Sequence, residues 1–301
     1  MAAASETQTP GVPTRNYAVL PRDTDPGISA ALGAHQVFVG NCPTARGQLL
    51  VWLPGTGGLA SPTGPLLQLA ARNCMHAVGL NYPNETSAVG DCVRERPEPD
   101  CYAAWRLEKV DGMDRSPKIN VAPADSVDNL LLKLLRYLAM QHPDEGWEQY
   151  LDGAAVRWDK VIVGGISQGG GQAAMLAKVH SVARVVMLAA VTDSVGSLRG
   201  PAPAWESHPG ATPPERYFGF ANQRDAFWTG ERNGWLALGL GEYGPIVNVD
   251  STSPPYGGTH RLTTDVACPQ ARVENCAHGT VAMPSLAPQL TAAWEYLLGL
   301  R

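Results

Sequence analysis

The sequence predicts an α/β protein: a mostly parallel central sheet flanked by helices, with small loops over one edge. Two observations on strands and one on helices carry that reading. Gln48 to Leu53 (QLLVWL) and Arg184 to Val191 (RVVMLAAV) are near-continuous apolar runs, as expected of strands covered on both faces. Val161-Ile162-Val163 is a shorter β-branched run that passes through a glycine turn into the helix-forming stretch Gln172 to His180. Between such runs lie amphipathic segments, the clearest being Val127 to Met140. There Val127, Leu130, Leu131, Leu134, Leu135 and Leu138 follow the i, i+3, i+4, i+7 spacing, and Ala124-Asp125-Ser126 supplies the cap.

In chain order, residues 1–16 read as a polar tail and residues 17–301 as a single domain with one large core. Asn16 to Leu20 and His35 to Val39 are candidate strands. Gln48 to Leu53 ends in Pro54-Gly55-Thr56-Gly57-Gly58, and Pro65 to Arg72 reads as the helix that follows. Cys74 to Asn81 is the next strand. Residues 83–123 are charged and weakly periodic, and predict a long functional or stapled loop. Trp147, Tyr150 and Leu151 mark a short helix before the strand at Val161. Residues 193–214 read as a cap loop, Arg216 to Ala221 as a strand, and residues 231–258 as irregular, with Trp235, Tyr243 and Tyr256 placed to line a pocket. Thr259 to Val266 is the last candidate strand and Leu286 to Leu298 the closing helix.

Composition narrows the function classes. A net charge of −5 and the lack of basic runs argue against a nucleic-acid partner. No apolar run approaches the roughly 18 residues of a membrane span. The 32 glycines and 25 prolines are scattered between apolar runs, which means many turns rather than disorder. Six cysteines form no C-x-x-C, and no histidine cluster completes a zinc spacing, so no metal or cofactor is expected. Cys92 and Cys101 bracket one short loop and Cys268 and Cys276 another. That pattern predicts two or three disulfides and an oxidising compartment, secreted or periplasmic, where six free thiols would instead mean a cytoplasmic enzyme. The first residues carry neither a basic n-region nor a hydrophobic h-region, so a signal segment is expected to have been removed.

The most informative stretch is Gly164-Gly165-Ile166-Ser167-Gln168-Gly169-Gly170-Gly171. Strand, tight turn, serine and helix in that order fit the nucleophile elbow G-x-S-x-G. The turn lifts the serine hydroxyl above the sheet, and the helix N-terminus points its amides at a developing oxyanion. No G-x-G-x-x-G opens this helix in register, which removes a dinucleotide site. On these residues the chain resembles the α/β-hydrolase superfamily. Its Ser-Gln-Gly elbow is similar to those of cutinases and acetyl-ester deacetylases, and the run from Ala124 to Gly171 resembles a poorly characterised group within that superfamily.

The resemblance implies a triad in the order Ser, acid, His. Ser167 is the nucleophile. Asp225, just after a candidate strand, is the first choice of acid, and Asp193 the second. His278, before the closing helix, is the first choice of base, with His260 its rival. The oxyanion donors would be the backbone amides of Gln168 and Thr56, with Gly57 second to Thr56. A triad with a glycine oxyanion loop favours hydrolysis of a small or polymeric carboxylic ester. An amidase, peptidase or thioesterase on the same residues, or a non-catalytic binder, are the alternatives.

Overall fold

The structure is a computed structural model and describes residues 12–31, 33–94, 100–270, 275–283 and 287–300. Nine strands form one sheet: β1 (Thr14–Val19), β2 (His35–Gly40), β3 (Leu49–Leu53), β4 (His76–Gly79), β5 (Val161–Ile166), β6 (Arg184–Leu188), β7 (Tyr217–Asn222), β8 (Ile246–Asn248) and β9 (Arg261–Thr264). Their order across the sheet is β1-β2-β4-β3-β5-β6-β7-β9-β8. β2 runs antiparallel to both β1 and β4, and every other neighbouring pair is parallel.

The helices are α1 (Gly64–Arg72), α2 (Ala88–Cys92), α3 (Cys101–Asp111), α4 (Val127–Gln141), α5 (Gln168–Val179), α6 (Ala204–Ser207), α7 (Trp228–Ala237), α8 (Cys276–Thr280) and α9 (Thr291–Leu297), with short single turns between. β3 and β5 are buried at every position, which is why they read as unbroken apolar runs. Side chains alternate between the two faces of the sheet. Leu49, Val51, Leu53, Val161 and Val163 enter one core with Trp105 of α3, Leu131 of α4 and Leu176 of α5. Leu50, Trp52 and Ile162 enter the other with Leu67 of α1 and Trp294 of α9. Leu53 pairs with Gly165, Gly165 with Met187, and Leu188 with Phe220, so β3, β5, β6 and β7 finish at one edge. Loops leaving the carboxyl edge of such a sheet are where ligands bind in open α/β folds.

Several expectations need correction. β1 begins at Thr14, inside the stretch read as a tail, while residues 1–11 lie outside the described residues. The segment 83–123 is not one loop, because it contains α2 and α3. Tyr102, Trp105 and Val110 of α3 are buried, but so are Arg106, Glu108 and Lys109, and these charges hide the apolar stripe. Glu108 accepts from the backbone amides of Arg115, Ser116 and Val121, so this carboxylate folds the following loop onto the helix. The irregular segment 231–258 holds most of α7 and the edge strand β8. Trp235 is a core side chain. It is fully buried and donates from Nε1 to the Ala190 carbonyl at 2.7 Å. Tyr256, though buried, does line a cavity, together with Val249, Pro254 and Leu290, in line with the sequence-based expectation.

All six cysteines are paired: Cys92–Cys101 and Cys268–Cys276 close the two loops that the spacing picked out, and Cys42–Cys74 joins the exit of β2 to the approach of β4. Among the described residues no helix is long and apolar enough to cross a membrane.

Candidate active site

Ser167 stands between β5 and α5 with φ 57° and ψ −125°, a conformation that non-glycine residues rarely hold. Strain of this kind costs on the order of 1–3 kcal/mol and persists where the surroundings fix it. Here the Ser167 amide donates to the Leu188 carbonyl at 2.9 Å, and the Ser167 carbonyl accepts from the Gly171 amide at 3.1 Å. The neighbouring glycines are required by contact. A Cβ on Gly165 would overlap the Gly169 backbone, and one on Gly169 would overlap the Leu53 carbonyl at the end of β3. A Cβ on Gly171 would strike the Arg106 guanidinium. The helix therefore starts at Gln168, four residues before its sequence signal at Gln172.

Arg106 is the residue that sequence reasoning missed behind the elbow. It forms a bidentate pair with Asp193, Nε to Oδ2 at 2.7 Å and Nη2 to Oδ1 at 2.5 Å, with both side chains fully buried. Its Nη1 donates to the Gln168 carbonyl at 3.2 Å, which ties the ion pair to the first residue of α5. Trp205 Nε1 adds a third donor to Asp193 at 3.1 Å. Asp193, the second-choice acid, thus has both oxygens committed to Arg106 and Trp205. The 193–214 segment that carries Trp205 packs it inside rather than over the site.

Asp225 leaves the end of β7 and is buried. Its Oδ2 lies 2.5 Å from His278 Nδ1, while Oδ1 accepts from the Phe227 amide at 2.9 Å and from Asn275 Nδ2 at 3.0 Å. Burial alone would raise the Asp225 carboxyl. The hydrogen bond and charge of His278, with the Phe227 amide and Asn275, outweigh it and hold the carboxyl below its ordinary value. His278 sits on α8 with its ring against Phe227, centroids 5.3 Å apart. With Nδ1 committed to Asp225, Nε2 is left without a partner among the described residues. His260, the rival base, is stacked between Phe218 and Tyr243 at 4.0 and 4.6 Å, and burial lowers its basicity.

The structure brings Asp225 and His278 together, and it brings Thr56 to Gln168. It does not bond Ser167 to His278: the serine hydroxyl has no partner among the described residues. The loop after β3 folds beside the serine, where a Cβ on Gly55 would come within 3.3 Å of the Ser167 Cβ. Asn84 braces that loop by donating from Nδ2 to the Gly55 and Gly58 carbonyls and accepting from the Gly57 amide. The Thr56 and Gln168 amides donate to none of the described residues.

Among the described residues, Asp225, Glu231 and His278 are the one group of three ligand-type side chains close enough to consider for a metal. Asp225 Oδ2 and His278 Nδ1 face each other at 2.5 Å, a separation that a shared proton fills and an ion between them would not.

No family profile matches the chain, and no curated protein sequence matches it. Solved structures do. A hormone-sensitive lipase from a metagenome library superposes with a TM-score of 0.51 at 13% identity, over 98% of this chain and 87% of that one. A bacterial heroin esterase (TM-score 0.43, 16% identity, 97% and 87% covered) and the esterase Est22 (TM-score 0.46, 13% identity, 96% and 80% covered) also match, too loosely to carry an argument. At such identity the lipase speaks for architecture alone. The strand order, the parallel run from β4 to β8 and the turn after β5 say the same thing: this chain has the α/β-hydrolase fold.

Proposed function

We propose that the protein is a serine hydrolase that cleaves carboxylic esters through an acyl-enzyme intermediate. The observation that carries this reading is the pairing of Asp225 with His278 on loops of the same sheet edge that bears the strained Ser167 turn. In the reaction, His278 Nε2 takes the Ser167 proton as the hydroxyl attacks the ester carbonyl, then returns it to the leaving alcohol. Asp225 holds the imidazole tautomer and stabilises the imidazolium. The unpaired Thr56 and Gln168 amides receive the tetrahedral oxyanion, and each such donor is worth roughly 100- to 1000-fold in kcat. No step needs a metal or an organic cofactor.

The lipase neighbour agrees with ester hydrolysis, and the three disulfides agree with an oxidising compartment such as the periplasm or the cell exterior. The substrate class is a small-molecule or polymeric ester. Labelling with a fluorophosphonate, followed by peptide mapping, tests the reading directly. The adduct is expected on Ser167, together with turnover of p-nitrophenyl esters; a folded protein that takes no label and turns over no ester refutes it.

A further inference from the structure

Glu231 lies on the first turn of α7 with no exposed surface, and neither of its carboxyl oxygens meets a hydrogen-bond donor among the described residues. Its Oε1 is 4.0 Å from His278 Nδ1. One oxygen from Glu231, one from Asp225 and a ring nitrogen of His278 all fall within 4.8 Å of one another. Two carboxyls in one dry site do not both ionise. The supply of donors decides which keeps the proton: Asp225 receives three, from His278, the Phe227 amide and Asn275, and Glu231 receives none. Burial first, and then the charge of Asp225, push the Glu231 carboxyl well above its ordinary value.

The charged and titratable groups around this part of α7 are few. Asp225 faces Glu231 from the loop after β7, and His278 faces it from α8. Arg232 is exposed. Glu206 of α6 packs against Gly234, three residues further along the helix. Burial and then the charge of Asp193 push the Glu206 carboxyl above its ordinary value too.

We propose that Glu231 is a positioning residue: a neutral carboxylic acid that donates its O–H to Asp225, leaving a single negative charge behind His278. The inference rests on the triad reading above. A carboxylic acid is the side chain suited to this place, because Asp225 has an acceptor to fill and a second carboxylate would overcharge the imidazole. The proton on Glu231 thereby fixes both the orientation of Asp225 and the basicity of the imidazole it holds.

The test compares Glu231→Gln with Glu231→Leu, using the pH profiles of kcat and kcat/KM on p-nitrophenyl acetate. Glutamine is a neutral donor of the same shape, and it is expected to keep kcat within about 3-fold and leave the acid limb in place. Leucine fills the space but cannot donate. It is expected to lower kcat by about 10-fold or more, as for a lost hydrogen bond to a charged group, with KM little changed and the acid limb moved to higher pH. If Glu231 is instead ionised, Glu231→Gln removes a charge 4.0 Å from the ring and moves the acid limb down by more than about 1 pH unit, which overturns the proposal. Wild-type behaviour of both variants overturns it as well. Should the leucine variant not fold, infrared spectroscopy decides: the protonated-carboxyl C=O absorbance at neutral pH must fall in Glu231→Gln by the contribution of one carboxyl, and its persistence at full strength refutes the idea. Asp225→Asn serves as the control. Undiminished kcat in that variant would sink the triad itself, whereas its collapse beside a fully active Glu231→Leu would sink only the role of Glu231.

Discussion

The Thr56 hydroxyl donates to the Gln168 side-chain oxygen at 3.0 Å, so the two residues whose amides are proposed to hold the oxyanion are fastened to each other. The same oxygen accepts from the Ala88 amide at 3.0 Å, and the Gln168 carbonyl is held from behind by Arg106. A glycine-bordered loop such as 55–58 has little stiffness of its own. Its geometry here is borrowed from the first residue of α5.

Thr56→Val removes the link and keeps the backbone amide. The expected result is a fall in kcat of about 10-fold with an unchanged melting temperature, because the loop is exposed and the loss is one of alignment. Steady-state kinetics and a thermal scan check it; a variant that loses stability but not kcat would place the bond in folding rather than in catalysis.

Ser167→Ala is expected to abolish both ester turnover and fluorophosphonate labelling while the protein stays folded. Alanine meets the same backbone strain as serine and adds no atom to the turn. Residual labelling at another residue would move the nucleophile elsewhere.

Asp225→Asn and Asp193→Asn should separate cleanly. The first is expected to cut kcat by roughly four orders of magnitude by favouring the wrong imidazole tautomer. The second leaves a fully buried Arg106 without its charge partner, which typically costs about 3–5 kcal/mol, so its effect should appear in denaturant unfolding. Equal losses of kcat at normal stability would contradict the division of labour.

The sheet and the elbow were legible for a physical reason: both are written locally. A strand covered on two faces must be apolar along its length, as β3 and β5 are, and a turn pressed against a neighbouring carbonyl must be glycine, as at Gly169. α3 was not legible, because its buried Arg106 is satisfied by Asp193 and Gln168, 87 and 62 residues away. α7 was hidden by Gly230 and Gly234, weak helix formers that make room for Ser194 Oγ and the Glu206 carboxyl, and by Glu231 in a core position. Asp225 stood out by its place after a candidate strand, and His278 by its place before the closing helix. Asn275 and Glu231, which complete the surroundings of Asp225, carry no signal short of the folded contacts.

The Cys268–Cys276 bridge joins the segment after β9 to the first residue of α8, two positions before His278. Asn275, adjacent to the bridge, reaches Asp225 at 3.0 Å, so both the proposed base and a donor to its acid hang from one short closed loop. Closing a loop of this size contributes about 2–3 kcal/mol in the chain-entropy account. The positional effect is larger, since about 1 Å of misplacement of a catalytic group can cost roughly 100-fold in rate. A Cys268→Ser, Cys276→Ser double variant is therefore expected to lose at least about 10-fold in kcat at temperatures where it remains folded. Cys42–Cys74 is the control: it lies beyond the end of antiparallel β2 and before the start of β4, at the edge of the sheet opposite Ser167. Its removal should lower the melting temperature and leave kcat near wild type. Matched kinetics and thermal scans of the two double variants decide the matter. If removing either bridge changes stability alone, Cys268–Cys276 does not hold the base in place.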